Sequence, residues 1–443
     1  MSHPVLPSPT PDEHGRATGE VGAGTAHRRT LLAVLALALL LRVAFIFFLE
    51  PGRIYFRDTV KYSAAAESLL AGNGFGDTYA RQPLYPVFLA AILALFPGAL
   101  VAAQLADAVL GALVVFLTYH LGRRIWNARV GLGAAALVAV HPYLVVLSAF
   151  LYAELLFIAL LLTCLWLILH VGDGRRAFLA GVVGGGAVLA KASGIALLIA
   201  GLLWLACCGP ARRSRRAAWA ALFAAGGFLA LAPWVARNYL HFHDLSLIES
   251  RKEIHVAYAP ESSFPLRVQV EHRRTVSNGA GAGLQQHGRR SLSVGHVVQQ
   301  LGRFWALWPE RLATARRDVR EKAAQKDARV VLENHPAEKT ARFHLLLAAF
   351  LLPYYALALA GLWRSRERLR ESSLLLLVIL AFTVGRALFM AKLRYRLPVE
   401  PAVALYAAAG LAWLVGLLAA HVPGREVDVS VPTEATLIPL DRT

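Results

Sequence analysis

Hydrophobic runs of about 18 residues or more recur along this chain, each long enough to cross a hydrocarbon core of roughly 30 Å. That repetition leaves few folds open. In lipid every backbone amide needs a partner within the protein, so only helices or a closed barrel can span. Alternating strand patterns are absent, which excludes the barrel. With 57% of its 443 residues apolar, the chain is expected to be an all-α polytopic membrane protein. Its first run, Leu31 to Leu49, is too long for the core of a cleavable signal and lacks a small-residue cleavage site.

A net charge of +18 would suit a nucleic-acid binder, but the arginines argue otherwise. They stand in short blocks between apolar runs: Arg28-Arg29, Arg123-Arg124, Arg175-Arg176, Arg212 to Arg216 and Arg364 to Arg370. This is the positive-inside pattern of cytoplasmic loops, and it removes nucleic acid as a partner. With the N-terminus inside, spans fall at about 31–49, 98–121, 130–147, 152–170, 177–190, 194–208, 217–233, 343–363, 372–390 and 397–420. About ten transmembrane helices then place every block on one face and return the C-terminus to the cytoplasm. The run Leu84 to Phe96 is too short to span and is bracketed by prolines, so it is assigned to the outer surface. Lys191 to Gly194 is the expected outer turn between two short helices.

The resulting organisation has five parts. Residues 1–28 are expected to be a disordered cytoplasmic tail. A transmembrane module covers 29–236, and its first outer loop, 50–97, carries juxtamembrane helices. An extracytoplasmic loop region follows at 237–342. It includes an amphipathic stretch with Val297, Val298, Leu301, Phe304, Trp305 and Trp308 at helical spacing, suited to an interfacial anchor. Helices at 343–420 and a cytoplasmic tail at 421–443 complete the chain. Cys164, Cys207 and Cys208 lie in apolar runs without metal or disulfide spacing and read as packing residues.

The chemistry-bearing residues gather on the outer side. Asp58 precedes a short amphipathic helix that Gly72-Asn73-Gly74 ends. It reads either as an N-terminal cap or as a general base or metal ligand aimed at a headgroup or acceptor hydroxyl. Glu154 stands among Phe150, Leu151, Leu155 and Phe157, where a carboxylate is costly unless it is paired or sits at a helix N-terminus. Lys191, Arg237, Lys392, Arg394 and Arg396 lie on the face that the charge rule disfavours, which calls for counter-anions or for snorkelling to headgroups. Arg394 and Arg396, flanking Tyr395, suit forked contacts to phosphate oxygens. Among the charges within spans, Arg386 is the one read as deep, and a partner for it is sought in Glu154 or Asp58. Tyr62, Arg81 and Tyr85 complete the candidates.

With these segments in order, the sequence resembles the GT-C superfamily of integral-membrane glycosyltransferases. Its look-alikes are the bacterial aminoarabinose transferases and the dolichyl-phosphate-mannose-protein mannosyltransferases. The resemblance rests on Asp58 with Tyr62 and LLAGNGF, RQPLYPVFLAAIL, SAFLYAELLF, GVVGGGAVLAKASG, PWVARNY and AKLRYRLPVEP. It implies a multi-pass protein of the bacterial inner membrane that takes a polyprenyl-phosphate-linked sugar donor. Transfer to a lipid, glycan or protein acceptor would occur on the extracytoplasmic face. Asp58 would match the catalytic acid of the first loop and Glu154 an acid of the second. Lys191, Arg237, Arg394 and Arg396 would sit where lipid-phosphate contacts are expected. Two departures stand out: Arg57-Asp58 replaces the tandem Asp-Glu of the mannosyltransferases, and the outer region is a modest polar loop.

A sugar phosphate already carries a good leaving group, so cations that stabilise the departing phosphate and one base suffice for inverting single displacement. No cofactor is required by this scheme; a divalent cation between Asp58 and phosphate is compatible with it. The alternative from another class is a transporter or flippase of lipid-linked saccharides, for which inverted repeats and broken mid-membrane helices would be expected.

Overall fold

A computed structural model of the protein describes residues 11–49, 51–54, 57–75, 82–242, 294–307, 337–388 and 393–420. Every regular element among them is helical. Helix α1 spans Pro11–Phe48, so residues 11–28, expected to be disordered, are helical from Pro11 onward. Helices α2 (Arg57–Leu70) and α3 (Leu84–Leu95), which follow α1, pack on each other. After α2, Gly72 and Gly74 take φ of 77° and 61°, the left-handed conformation that closes a helix most cheaply when no Cβ is present.

The chain continues through α4 (Leu100–Ile125), α5 (Ala128–Val140), α6 (Pro142–Val146), α7 (Glu154–Leu169), α8 (Gly174–Ala190), α9 (Gly194–Cys208) and α10 (Arg213–Phe242). Then come α11 (Val294–Phe304), α12 (Ala337–Arg364), α13 (Leu369–Leu388) and α14 (Glu400–Ala420). Two short 3-10 turns, Leu393–Tyr395 and Leu397–Val399, lead into α14. Five helical stretches among the described residues are long and apolar enough to cross a membrane alone, or six if the bent pair counts as one span. That pair joins α5 to the segment ending at Ala149 with a 57° bend at His141-Pro142, so the expected span 130–147 is not straight but a broken span or a re-entrant loop. Reaching ten crossings also draws on shorter apolar helices such as α7 and α9.

Lipid removes the usual drive to bury apolar surface, so close packing holds such helices together. Helix α7 is the central one: Leu155, Phe157, Ile158, Leu161, Leu162, Leu165 and Ile168 are all fully buried. A helix apolar on every side belongs inside a bundle. Helices α12 and α14 approach so closely that a Cβ on Gly361 would collide with the Tyr406 carbonyl oxygen, and one on Gly410 with that of Leu357. Gly181 and Gly226 do the same for α8 and α10.

The arginine blocks also do local work. Arg176 Nη1 donates to the His170 carbonyl at the end of α7, at 2.9 Å. Arg368 reaches Ile125 O at the end of α4, at 3.2 Å. Arg370 reaches Cys208 O and Gly209 O at 3.2 and 3.1 Å, and Arg216 reaches Cys207 O. These carbonyls are among those a helix end leaves without an internal partner.

Candidate active site

Four charged side chains from four parts of the chain meet at one end of the bundle. Asp58 lies in the first turn of α2, Glu154 opens α7, Lys191 closes α8, and Arg394 sits in the turn before α14. Arg394 Nη2 donates to Asp58 Oδ2 at 2.9 Å, and its Nε lies 3.1 Å from Glu154 Oε1. The same Glu154 oxygen accepts from Lys191 Nζ at 2.6 Å. Glu154 therefore bridges the two cations, and its side chain is only 3% exposed, against 22% for Asp58 and 30% for Arg394. Burial draws the Lys191 ammonium down to about 8, while Glu154 pulls in the opposite direction.

The surrounding loops hold this quartet in place. Leu151, at φ 50°, is the one non-glycine residue with positive φ among the described residues, a conformation that costs about 1–3 kcal/mol and needs firm surroundings. Those surroundings are present: Thr59 Oγ1 donates to Phe150 O at 2.8 Å. Gln104 donates to Ala149 O and accepts from Gly52 N, both at 2.8 Å. The strained residue presents Tyr152, whose ring lies 4.7 Å from the Arg394 guanidinium. Tyr395 stands within cation–π range of Lys191 at 5.4 Å and of Arg386 at 4.1 Å.

The remaining candidates fall elsewhere. Tyr62 and Tyr85 are buried edge to face at 5.0 Å, and the Tyr85 hydroxyl donates to Asp107 Oδ2 at 2.8 Å. Tyr85 thus fastens α3 to α4, and Tyr62 packs α2 onto Tyr85. Arg237, near the end of α10, stacks on Trp234 at 4.9 Å and on Phe75 at 5.7 Å and donates to Asn238 Oδ1. Arg396 parts company with Arg394. It is wholly buried, with Nε on Glu400 Oε1 at 2.6 Å, so pairing the two arginines as one phosphate fork does not match this geometry. Alternate residues of a tight turn point in different directions, and a buried guanidinium needs a counter-charge. Arg81 and Lys392 lie outside the described residues.

Sequence reasoning missed Tyr152, Glu400, Arg42 and Asp107. Arg386 is not the sole deep charge: Arg42 in α1 and Asp107 in α4 are both 0% exposed. Arg42 Nη1 donates to Ala38 O and Ala139 O at 2.9 and 3.2 Å, filling space left by Gly111. A charged residue inside an apolar run was the available signal for both. For a divalent ion the donor set fits poorly. Asp58 and Glu154 are already engaged by cationic side chains, and no group of three His, Cys, Asp or Glu side chains gathers among the described residues.

The family of dolichyl-phosphate-mannose-protein mannosyltransferases matches residues 80–236. No curated protein matches the sequence. Among solved structures, the chain is similar to ArnT from Cupriavidus metallidurans bound to undecaprenyl phosphate, with TM-score 0.54 at 16% identity, covering 88% of this chain and 62% of that one. It is also similar to the oligosaccharyltransferase of Archaeoglobus fulgidus, with TM-score 0.53 at 16% identity, covering 88% and 51%. A third likeness is to the same organism's AglB in complex with an inhibitory peptide and a dolichol-phosphate, with TM-score 0.51 at 17% identity, covering 90% and 52%. The chain thus spans between half and two thirds of the length of these structures. At the level of the fold, the expected resemblance to the GT-C membrane glycosyltransferases holds, and the chain is a multi-pass integral membrane protein.

Proposed function

We propose that this protein is a glycosyltransferase that moves a sugar from a polyprenyl-phosphate donor to an acceptor hydroxyl on the extracytoplasmic face of a bacterial inner membrane. Both termini would lie in the cytoplasm. The observation that carries this reading is the contact of Asp58 with Arg394 at 2.9 Å, joined through Glu154 to Lys191. The quartet is neutral as it stands, so an arriving phosphate competes with Asp58 for Arg394. Binding the donor thereby frees the base.

In the displacement, the acceptor oxygen bonds to the anomeric carbon as the bond from that carbon to the phosphate oxygen breaks. Arg394 and Lys191 meet the charge that grows on the departing phosphate, the place where preorganised donors help most. Asp58 takes the acceptor proton. Glu154 holds both cations and does not itself exchange a proton in this scheme. Arg237, framed by Phe75 and Trp234, is a further contact for the lipid phosphate or the first prenyl units. All four charges of the quartet stand at helix ends on one side of the bundle, which favours an enzyme over a carrier with a mid-membrane path.

The test is transfer in reconstituted vesicles with a panel of polyprenyl-phosphate sugars, comparing wild type with Asp58→Asn at equal folded protein. Loss of transfer in the variant is expected. Normal turnover would leave Asp58 a helix-capping role, and movement of donor across the bilayer without transfer would support the carrier instead.

A further inference from the structure

A second polar cluster, buried where the first is open, lies one residue beyond the candidate active site. Arg396, Glu400 and His141 are all 0% exposed. Glu400 Oε1 accepts from Arg396 Nε at 2.6 Å and from the Tyr355 hydroxyl at 2.8 Å. Its Oε2 lies 3.2 Å from the Tyr354 hydroxyl and 3.6 Å from His141 Nε2. Oε1 of this carboxylate is engaged twice, and its ion pair orients the guanidinium beside it, leaving a second edge to spare.

That second edge is spent on backbone. Arg396 Nη1 donates to Ala306 O at 2.7 Å and lies 3.3 Å from Phe304 O. The Tyr143 hydroxyl donates to Leu307 O at 2.7 Å. Three carbonyls at and just past the end of α11 are therefore met by side chains of the membrane bundle, at the place where a helix lacks internal partners. Trp305 packs its ring 5.9 Å from Tyr355, edge to face. Helix α11 itself rests on α13 and on the turn Leu393–Tyr395, and that turn bears Arg394. The backbone continues the tie: Arg396 N donates to Leu393 O at 3.0 Å.

We infer that Arg396, held by Glu400, is a positioning residue: it seats the outer segment 304–307 on the bundle and fixes the turn from which Arg394 reaches Asp58 and Glu154. The part concerning transfer rests on the function proposed above; the part concerning the seat does not. Two arginines in one turn then divide the labour, one facing the reaction and one holding the platform.

The experiment uses the full-length protein in nanodiscs, with backbone amide exchange across 294–307 and steady-state transfer as separate readouts. In R396M/E400L, an apolar pair replaces an ion pair, an exchange that buried sites often accept without loss of stability. The melting temperature is expected to fall less than in R396M alone, which strands the Glu400 carboxylate. Amides of 294–307 should exchange about tenfold faster or more, because their anchor is lost. Transfer kcat/KM should fall by about a hundredfold, chiefly through donor KM, as expected for a misplaced binding group.

A folded double variant with wild-type exchange in 294–307 would overturn the inference. Where that variant fails to fold, R396K decides: it keeps a cation beside Glu400 but loses the forked reach to Phe304 O and Ala306 O, so faster exchange across 304–307 supports the seat and unchanged exchange refutes it. Should D58N retain transfer, the proposed reaction falls and the exchange result still stands by itself.

Discussion

Arg394 and Arg396 are separated by a single residue, yet they inhabit opposite worlds. Arg394 is 30% exposed and takes its carboxylates from α2 and α7, with Asp58 lying 336 positions away in the chain. Arg396 is wholly enclosed and takes its carboxylate from four positions along its own helix entry. One pair can exchange partners with an incoming anion; the other is sealed by two tyrosines and a histidine. The contrast shows that an arginine's surroundings, not its neighbours in sequence, decide whether its charge is available to a ligand.

That contrast can be broken from either side. The largest effect is expected at the open pair: Asp58→Asn should lower kcat about a thousandfold at unchanged melting temperature, since a positioned base contributes 10²- to 10⁴-fold. Arg394→Gln should follow at about a hundredfold in kcat/KM, as for loss of one charge-stabilising donor. The enclosed pair should answer in stability instead. Arg396→Met alone strands the Glu400 carboxylate and should cost about 3–5 kcal/mol, read by thermal unfolding in detergent. Were Arg394→Gln the more destabilising and Arg396→Met the more inactive, the assignment of roles would be inverted.

Finer effects sharpen the same distinction. With Lys191 brought down to about 8, the ammonium is present below that pH and lost above it, so kcat/KM should hold steady and then fall as pH rises through about 8. Lys191→Arg should carry the plateau to higher pH, and an unmoved alkaline limb would assign it to another group. Tyr355→Phe removes one of the hydrogen bonds to Glu400 and should cost about 1 kcal/mol with kcat intact.

Much of the frame was legible from the residues. Apolar runs gave the helices, and Lys191 to Gly194 is the turn between α8 and α9 as expected. The outer acids and cations were named individually. Their pairing was not, because Asp58 and Arg394 meet only through tertiary packing. Arg396–Glu400 was visible as a four-residue spacing in RYRLPVEP, but that spacing says nothing of burial until Phe304 and Ala306 arrive from a distant loop. Arg42 and Asp107 were hidden by the strength of the apolar signal around them. Residues 11–28 read as a polar tail because their composition is poor in apolar residues, yet α1 begins at Pro11.

The arginines that close α4, α7 and α9 carry a consequence for biogenesis. During insertion they are expected to act as the orientation signal, and after assembly the same guanidinium groups hold helix-end carbonyls. A copy threaded in reverse would meet an unfavourable translocation step and would also tend to lose those fastenings. If these blocks face the cytoplasm, as the charge rule expects, the orientation signal and the closure of three helix ends reside in one set of residues.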